Sequence, residues 1–158
     1  MKTIVITAVL ATAVLFPLQA QGPTTAPAPE AEVQALVTRM FDAMRARDTT
    51  TLRAIFDSGA RLVATGTRNG AATVEVTPIG EFIRIIATAA PGQLLDEKLE
   101  NTEIKVSDNL AAVWTDYKFY VGDRFSHCGV DSFQLARGVD GWKIIALADT
   151  RRPPTSCH

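Results

Sequence analysis

WTDYKFYVGDRFSHCGVDSFQLARGVDGWKIIALADTRR, residues 114–152, decides the fold. Apolar and polar residues alternate with a period of two on both sides of Gly122-Asp123, and again on both sides of Val139-Asp140-Gly141. That is the pattern of antiparallel strands joined by tight turns. Upstream, the same alternation continues around Ser107-Asp108-Asn109. Four consecutive strands are therefore predicted: Lys98–Val106, Ala111–Val121, Arg124–Ala136 and Trp142–Thr150.

Before these strands the period is that of a helix. Val33, Leu36, Val37, Met40, Phe41 and Met44 draw one apolar stripe along Glu30–Arg47, with charge on the other side. Asp48 and Thr49 cap a second, short helix in which Leu52, Ile55 and Phe56 share a face, and Asp57-Ser58-Gly59 ends it. Arg61–Thr65 and Thr73–Val76 read as short strands around an Asn69-Gly70 turn. A third helix opens with Thr77 as N-cap and Pro78 at the first position, buries Ile79, Phe82, Ile83 and Ile86, and stops at Pro91-Gly92. Three N-terminal helices packed on one face of a mostly antiparallel sheet make an α+β domain.

The chain begins with Lys2, an apolar run from Ile4 to Phe16, and Leu18-Gln19-Ala20 as a cleavage site. That is the layout of a secretory signal peptide, and the run is too short to span a bilayer. Residues 1–20 are therefore expected to be a signal peptide and the protein to be exported, periplasmic or extracellular. Residues 21–29, QGPTTAPAP, form a disordered Pro/Ala/Thr linker, residues 30–152 one domain and residues 153–158 a tail. Without Lys2, 15 basic residues face 17 acidic ones, and no basic stripe is present. Nucleic acid is not an expected partner, nor is a membrane once the signal is removed.

The order of elements resembles the nuclear transport factor 2-like superfamily, the α+β cone that includes ketosteroid isomerase, scytalone dehydratase and SnoaL-like polyketide cyclases. The Val33–Met44 helix, the short helix after Asp48, the Pro78 helix and the closing strands carry the resemblance. Within it, residues 114–152 look most like small exported proteins called lumazine-binding-like. The resemblance covers about Glu30 to Arg152. It implies a curved sheet whose concave face lines a pocket closed by the helices, and an outer sheet face that forms a homodimer.

The turns set which side chains share a face. A two-residue turn at Gly122-Asp123 pairs Val121 with Arg124, Lys118 with His127 and Trp114 with Asp131. Pairing Leu135 with Lys143 in the last hairpin sets Asp131 opposite Leu147 and Gly129 opposite Asp149. Because side chains alternate across a sheet, one face then carries Trp114, Asp116, Lys118, Tyr120, Phe125, His127, Asp131, Phe133, Ile145, Leu147 and Asp149. Val113, Thr115, Tyr117, Phe119, Cys128, Val130, Ser132, Gln134, Ile144 and Ala146 fall on the other.

The first face mixes aromatic rings with three carboxylates and a histidine, as small-ligand sites do. Trp114, Tyr120, Phe133 and Asp149 are the candidate ligand-pocket residues, the rings suiting a small aromatic or heterocyclic molecule. His127 with Asp116 or Asp131 is the candidate acid–base pair, a carboxylate orienting the imidazole for proton transfer; the alternative is a structural histidine bonded to a neighbouring strand. Asp149 can pair instead with Arg151, Arg61 or another base at the rim. Asp116, His127, Asp131 and Asp149 offer too little histidine or thiolate for a transition metal, so neither a metal nor a cofactor is expected. Cys128 points away from His127, and the register brings Thr150 opposite it, with Cys157 seven residues further on. A Cys128–Cys157 disulfide is the expected use of both thiols in an oxidising compartment. Three functions follow: a small-molecule-binding cone; a cofactor-free isomerase, dehydratase or cyclase using His127 and an aspartate; or a domain that binds a partner through its outer face.

Overall fold

A computed structural model describes residues 27–90 and 93–157. The expected signal peptide (1–20), residues 21–26 of the linker, the Pro91-Gly92 stop and His158 lie outside the described residues. Helix α1 spans Pro29–Ala46 and α2 Thr49–Ile55. Strands β1 (Phe56–Arg68) and β2 (Ala71–Pro78) precede helix α3 (Ile79–Thr88). Strands β3 (Leu95–Ser107), β4 (Leu110–Val121), β5 (Arg124–Gly138) and β6 (Gly141–Thr150) complete a curved six-stranded sheet of order β2-β1-β6-β5-β4-β3. The first hairpin separates α2 from α3, so the three helices precede the four-stranded meander rather than the whole sheet. All pairings are antiparallel except β1 with β6.

Local chemistry explains the boundaries. Pro29 occupies the first turn of α1, where its missing N–H costs nothing, and Glu30 and Glu32 face the positive end of the helix dipole. Asp48 caps α2, accepting from the Thr51 backbone N–H at 2.9 Å. Helix α3 begins one residue later than expected: Thr77 pairs with Leu62 in β2, Pro78 is the N-cap and no side chain caps the helix. Asn69 and Gly70 both have positive φ, as a two-residue hairpin turn requires.

The core lies between the helices and the inner sheet face. Val33, Val37, Met40, Phe41 and Met44 of α1, Leu52 and Ile55 of α2, and Ile79, Ile83 and Ile86 of α3 are buried against Val113, Phe133, Leu135, Ile144 and Leu147. The Phe41 and Phe133 rings meet edge to face, with centroids 6.0 Å apart. Trp142 is held at its polar end by Glu32, which accepts from Nε1 at 3.1 Å.

Two bulges alter the expected register. Val121↔Arg124 and Tyr120↔Phe125 pair as the turn predicts, but Ser126 is then unpaired and Phe119 meets His127. From there Tyr117 faces Gly129, Thr115 faces Asp131 and Val113 faces Phe133. In the last hairpin Leu135 pairs with Ile144 rather than Lys143, Ile145 is the extra residue, and Asp131 sits opposite Asp149. The expected faces are therefore corrected: Val113, Thr115, Tyr117, Phe119 and Ile144 point inward, and Trp114, Asp116, Lys118 and Tyr120 point outward. One inserted residue moves a whole strand's side chains to the opposite face.

Beyond β6 the chain crosses close to β5. A Cβ on Gly129 would lie 1.8 Å from the Thr150 carbonyl oxygen and 2.7 Å from the Tyr117 ring. The Tyr117 hydroxyl donates to that same carbonyl at 2.9 Å. Arg152, not Thr150, then pairs with Cys128, and a short 3-10 turn, Pro154–Ser156, brings the tail back. Cys128 and Cys157 form a disulfide with Cα atoms 5.9 Å apart, as the sequence predicts.

Two outcomes test these constraints. Cys157→Ser should lower the unfolding free energy by about 3–4 kcal/mol, the chain-entropy value for a loop of this length. Urea unfolding should show that deficit without reductant and lose it when both proteins are reduced. Gly129→Ala should cost roughly 3 kcal/mol or more, since a backbone carbonyl must move. A midpoint unchanged from the parent would refute the close approach.

Candidate functional site

Helices α1 and α3 do not close fully on the inner face of the sheet. A cavity of about 340 Å³ remains between them, in the range that holds a small organic ligand. Its walls are mostly apolar. Met40, Phe41 and Met44 come from α1, Phe82, Ile85 and Ile86 from α3, and Leu62, Leu95, Tyr117, Phe119 and Leu147 from the sheet. The polar groups gather on the sheet side: Glu75 and Thr77 on β2, Glu97 on β3, His127 and Asp131 on β5, Asp149 on β6, and Arg151 just beyond it.

Of the residues singled out in the sequence, the structure brings His127, Asp131 and Asp149 to this cavity. It does not bring the others. Trp114 lies on the outer face with 55% of its surface exposed. Asp116 is also on that face, where its carboxylate accepts from Asn101 Nδ2 at 3.0 Å. Tyr120 packs on Phe125 and under Lys98, again outside. Phe133 points inward but is sealed in the core against Phe41, beneath the cavity. The flat walls are instead Phe119 and Tyr117. His127 lies between them, tilted on Phe119 at 4.8 Å and edge-on to Tyr117 at 5.7 Å.

Glu75, Thr77 and Glu97 are the polar lining residues that sequence reasoning did not place at the site, whereas Arg151 was already named as a partner for Asp149. Glu97 lies just outside the strand predicted from Lys98, yet it shares parity with Leu95 and Leu99, two half-buried leucines. An acid in the middle of an inward apolar triplet was the available signal. The pairing of Asp149 with Arg151, one of the alternatives read from the sequence, is the one the structure shows.

The acids at the cavity floor perturb one another. Asp131 is only 2% exposed, and no N–H or hydroxyl donor reaches its Oδ2. Burial holds Asp131 well above the usual carboxylate range, and the charge of Glu97 and a hydrogen bond to it reinforce the effect. Burial likewise pushes Glu97 up to about 7; the hydrogen bond from Asp131 opposes this and the charge of Asp149 adds to it. Both acids are shifted upward, so the pair retains a proton at pH values where isolated carboxyls have lost theirs. Asp149 is engaged differently: Arg151 donates to both its oxygens, at 3.1 Å from Nε and 3.2 Å from Nη2.

His127 is half-buried. Burial, and then the positive charge of Arg151, pull its imidazole below the ordinary value, against the attraction of Asp149. It is uncharged at neutral pH, with Nδ1 3.1 Å from the Ser126 hydroxyl of the bulge. Burial, and then the nearby carboxylates, drive the Tyr117 phenol upward, so it stays protonated and keeps its bond to Thr150. The site thus combines a neutral imidazole, a proton-sharing carboxyl pair and an Arg–Asp ion pair around an apolar chamber. Among the described residues no group of three or more His, Cys, Asp or Glu side chains is arranged to hold a metal ion.

Comparisons with known proteins agree with this architecture. A nuclear transport factor 2-like protein of unknown function from Silicibacter pomeroyi superposes with a TM-score of 0.60 at 20% identity, covering 77% of this chain and 94% of that one. A protein from Streptomyces avermitilis, described as a "putative dehydratase" of the same superfamily, gives 0.58 at 20% identity, covering 78% and 95%. A third, from Cytophaga hutchinsonii, gives 0.61 at 12% identity, covering 76% and 95%. At these identities the likeness establishes the fold alone. No curated protein matches the chain. A family model does match residues 28–148, and by that match the chain belongs to the nuclear transport factor 2-like family described as "Putative lumazine-binding".

Proposed function

We propose that this protein is exported and binds a small, flat, heterocyclic molecule in the chamber between α1, α3 and the sheet. The carrying observation is the buried Asp131 carboxyl, which lines an otherwise apolar cavity and has an oxygen that no protein donor reaches. Phe119 and His127 supply a ring wall against which a planar ligand stacks, and the Asp131–Glu97 pair supplies one donor and one acceptor for its polar edge. Lumazine, the molecule in the family's description, has such a shape and such an edge. Export is supported by the leader-like residues 1–20 and by the Cys128–Cys157 disulfide.

A second reading is favoured by the same carboxyl pair. A proton held at the floor of a dry pocket, beside a neutral imidazole, suits acid–base chemistry such as isomerisation or dehydration. One structural neighbour is described as a dehydratase. In this reading His127 and Asp131 exchange protons with the substrate, whereas Asp116, on the outer face, takes no part.

Lumazine at a hundred times its dissociation constant should raise the unfolding free energy by about 2.7 kcal/mol. Phe119→Ala should weaken binding about tenfold by removing the ring wall. The reading falls if no member of a panel of flat heterocycles shifts the melting temperature. It also falls if the shift persists undiminished in Ala64→Phe, since Ala64 of β1 lines the chamber and a phenyl ring there would fill it. The catalytic reading stands if His127→Ala and Asp131→Asn retain binding of a turned-over compound and abolish its conversion.

The proton held at the site also has a signature in stability. Glu97 ionises near 4.5 as a free side chain and near 7 in the fold. Between those values the unfolded chain has released a proton that the native chain retains, so the contribution of Glu97 falls as pH rises through the window. Asp131, displaced in the same direction, adds to the fall. Thermal unfolding across a buffer series should therefore show Asp131→Asn gaining on the parent as pH rises through that window. A difference that stays constant with pH would rule out the shared proton.

A further inference from the structure

The cavity's charge is lopsided. Four carboxylic acids line it, Glu75, Glu97, Asp131 and Asp149, and Arg151 is the one lining residue with a fixed positive charge. Arg151 commits Nε and Nη2 to Asp149. Among the described residues no cation is bonded to Asp131 or Glu97. An anionic ligand would therefore meet mostly negative charge at the floor, where the one cation among the described lining residues is already paired with Asp149, and a carbonyl edge alone would leave one carboxylate unanswered. A group with two N–H donors pointing the same way answers both acids at once.

We infer that the chamber selects ligands bearing an amidine edge, a ring nitrogen beside an exocyclic amino group, over oxo-substituted or anionic ligands of the same size. This rests on the cavity being a ligand site and adds which chemistry it prefers. The amidine enters as the neutral base or as its cation. As the neutral base, it accepts the proton of the Asp131 carboxyl on its ring nitrogen, and the resulting amidinium bonds to the two carboxylates through its ring N–H and amino N–H. As the cation, it displaces that proton to solvent and reaches the same bound state. Either way the proton that the two acids share in the free protein is replaced by ligand N–H groups, and Asp131 Oδ2 gains the donor it lacks. The ring body lies along Phe119, with Phe82 and Met44 opposite. Mutual repulsion and burial of the two acids, unfavourable in the free protein, are relieved when two N–H donors of the ligand meet them.

Three bicyclic or monocyclic probes separate the cases: 2-aminobenzimidazole, benzimidazolone and benzoate. Calorimetric titration of the disulfide-bonded protein near pH 7 should give 2-aminobenzimidazole an affinity at least tenfold above benzimidazolone, with no binding of benzoate. Asp131→Asn and Glu97→Gln should each reduce that preference about tenfold or more. Thermal unfolding of each variant confirms that it is folded, and the two variants check each other. If benzimidazolone binds as tightly as 2-aminobenzimidazole, or if the preference survives both substitutions, the amidine assignment is overturned and the ligand chamber stands. If none of the three probes, nor lumazine, binds, both fall together.

Discussion

The absence of a side chain at Gly129 is the constraint on which the functional end of the molecule depends. With no Cβ there, the backbone leaving β6 passes close enough for its Thr150 carbonyl to occupy the space a methyl group would fill. That carbonyl takes the Tyr117 hydroxyl, which fixes one wall of the cavity. The next two residues then pair on opposite sides, Arg151 through its N–H to Thr65 and Arg152 through both backbone groups to Cys128. One crossing therefore aims the Arg151 guanidinium at Asp149 and returns the tail to the disulfide. The Arg151–Asp149 ion pair in front of β5 and the staple behind it share a single cause.

Most of the architecture was legible in the chain because it rests on local signals. The α1 stripe, the Asp48 cap, the Asn69-Gly70 turn and the period-two strands each state their structure within a few residues. The disulfide was legible too, because the tail's direction depends on chain length more than on register. What could not be read was the bulge at Ser126. Nothing in Arg124-Phe125-Ser126-His127 marks it, since no glycine or proline stands there. A single unpaired residue inverted every β4 assignment, exchanging Trp114, Asp116 and Tyr120 for Tyr117 and Phe119. Residues on β5 beyond the bulge and on the end of β6 kept their mutual parity, which is why His127, Asp131 and Asp149 were placed together correctly. Glu97 was missed for another reason: its partner lies two strands away, and that contact is a property of curvature, not of any one strand.

The site and the core divide their tasks along β4 and β5. At the lower end, Val113, Phe133 and Leu135 are sealed against α1, and the buried Thr115 hydroxyl is satisfied by Thr102 and the Glu100 carbonyl. At the upper end the same strands present Tyr117, Phe119, His127 and Asp131 to open space. Polar groups are fully answered where packing carries the fold and left unanswered where the chamber begins. The boundary falls within a few residues on each strand.

The parallel pairing of β1 with β6 has a consequence for how the molecule is made. β6 sits in the middle of the sheet, bonded to β1 on one side and β5 on the other, although it is the last of the described strands along the chain. Until residues 141–150 are available, the first hairpin has no sheet to join, and the concave wall lacks Leu147 and Asp149. Pairing an early strand with the final one makes closure a long-range event, slow compared with local hairpin formation. A domain built this way cannot complete its core from its N-terminal part, so its sheet closes only once residues 141–150 are present.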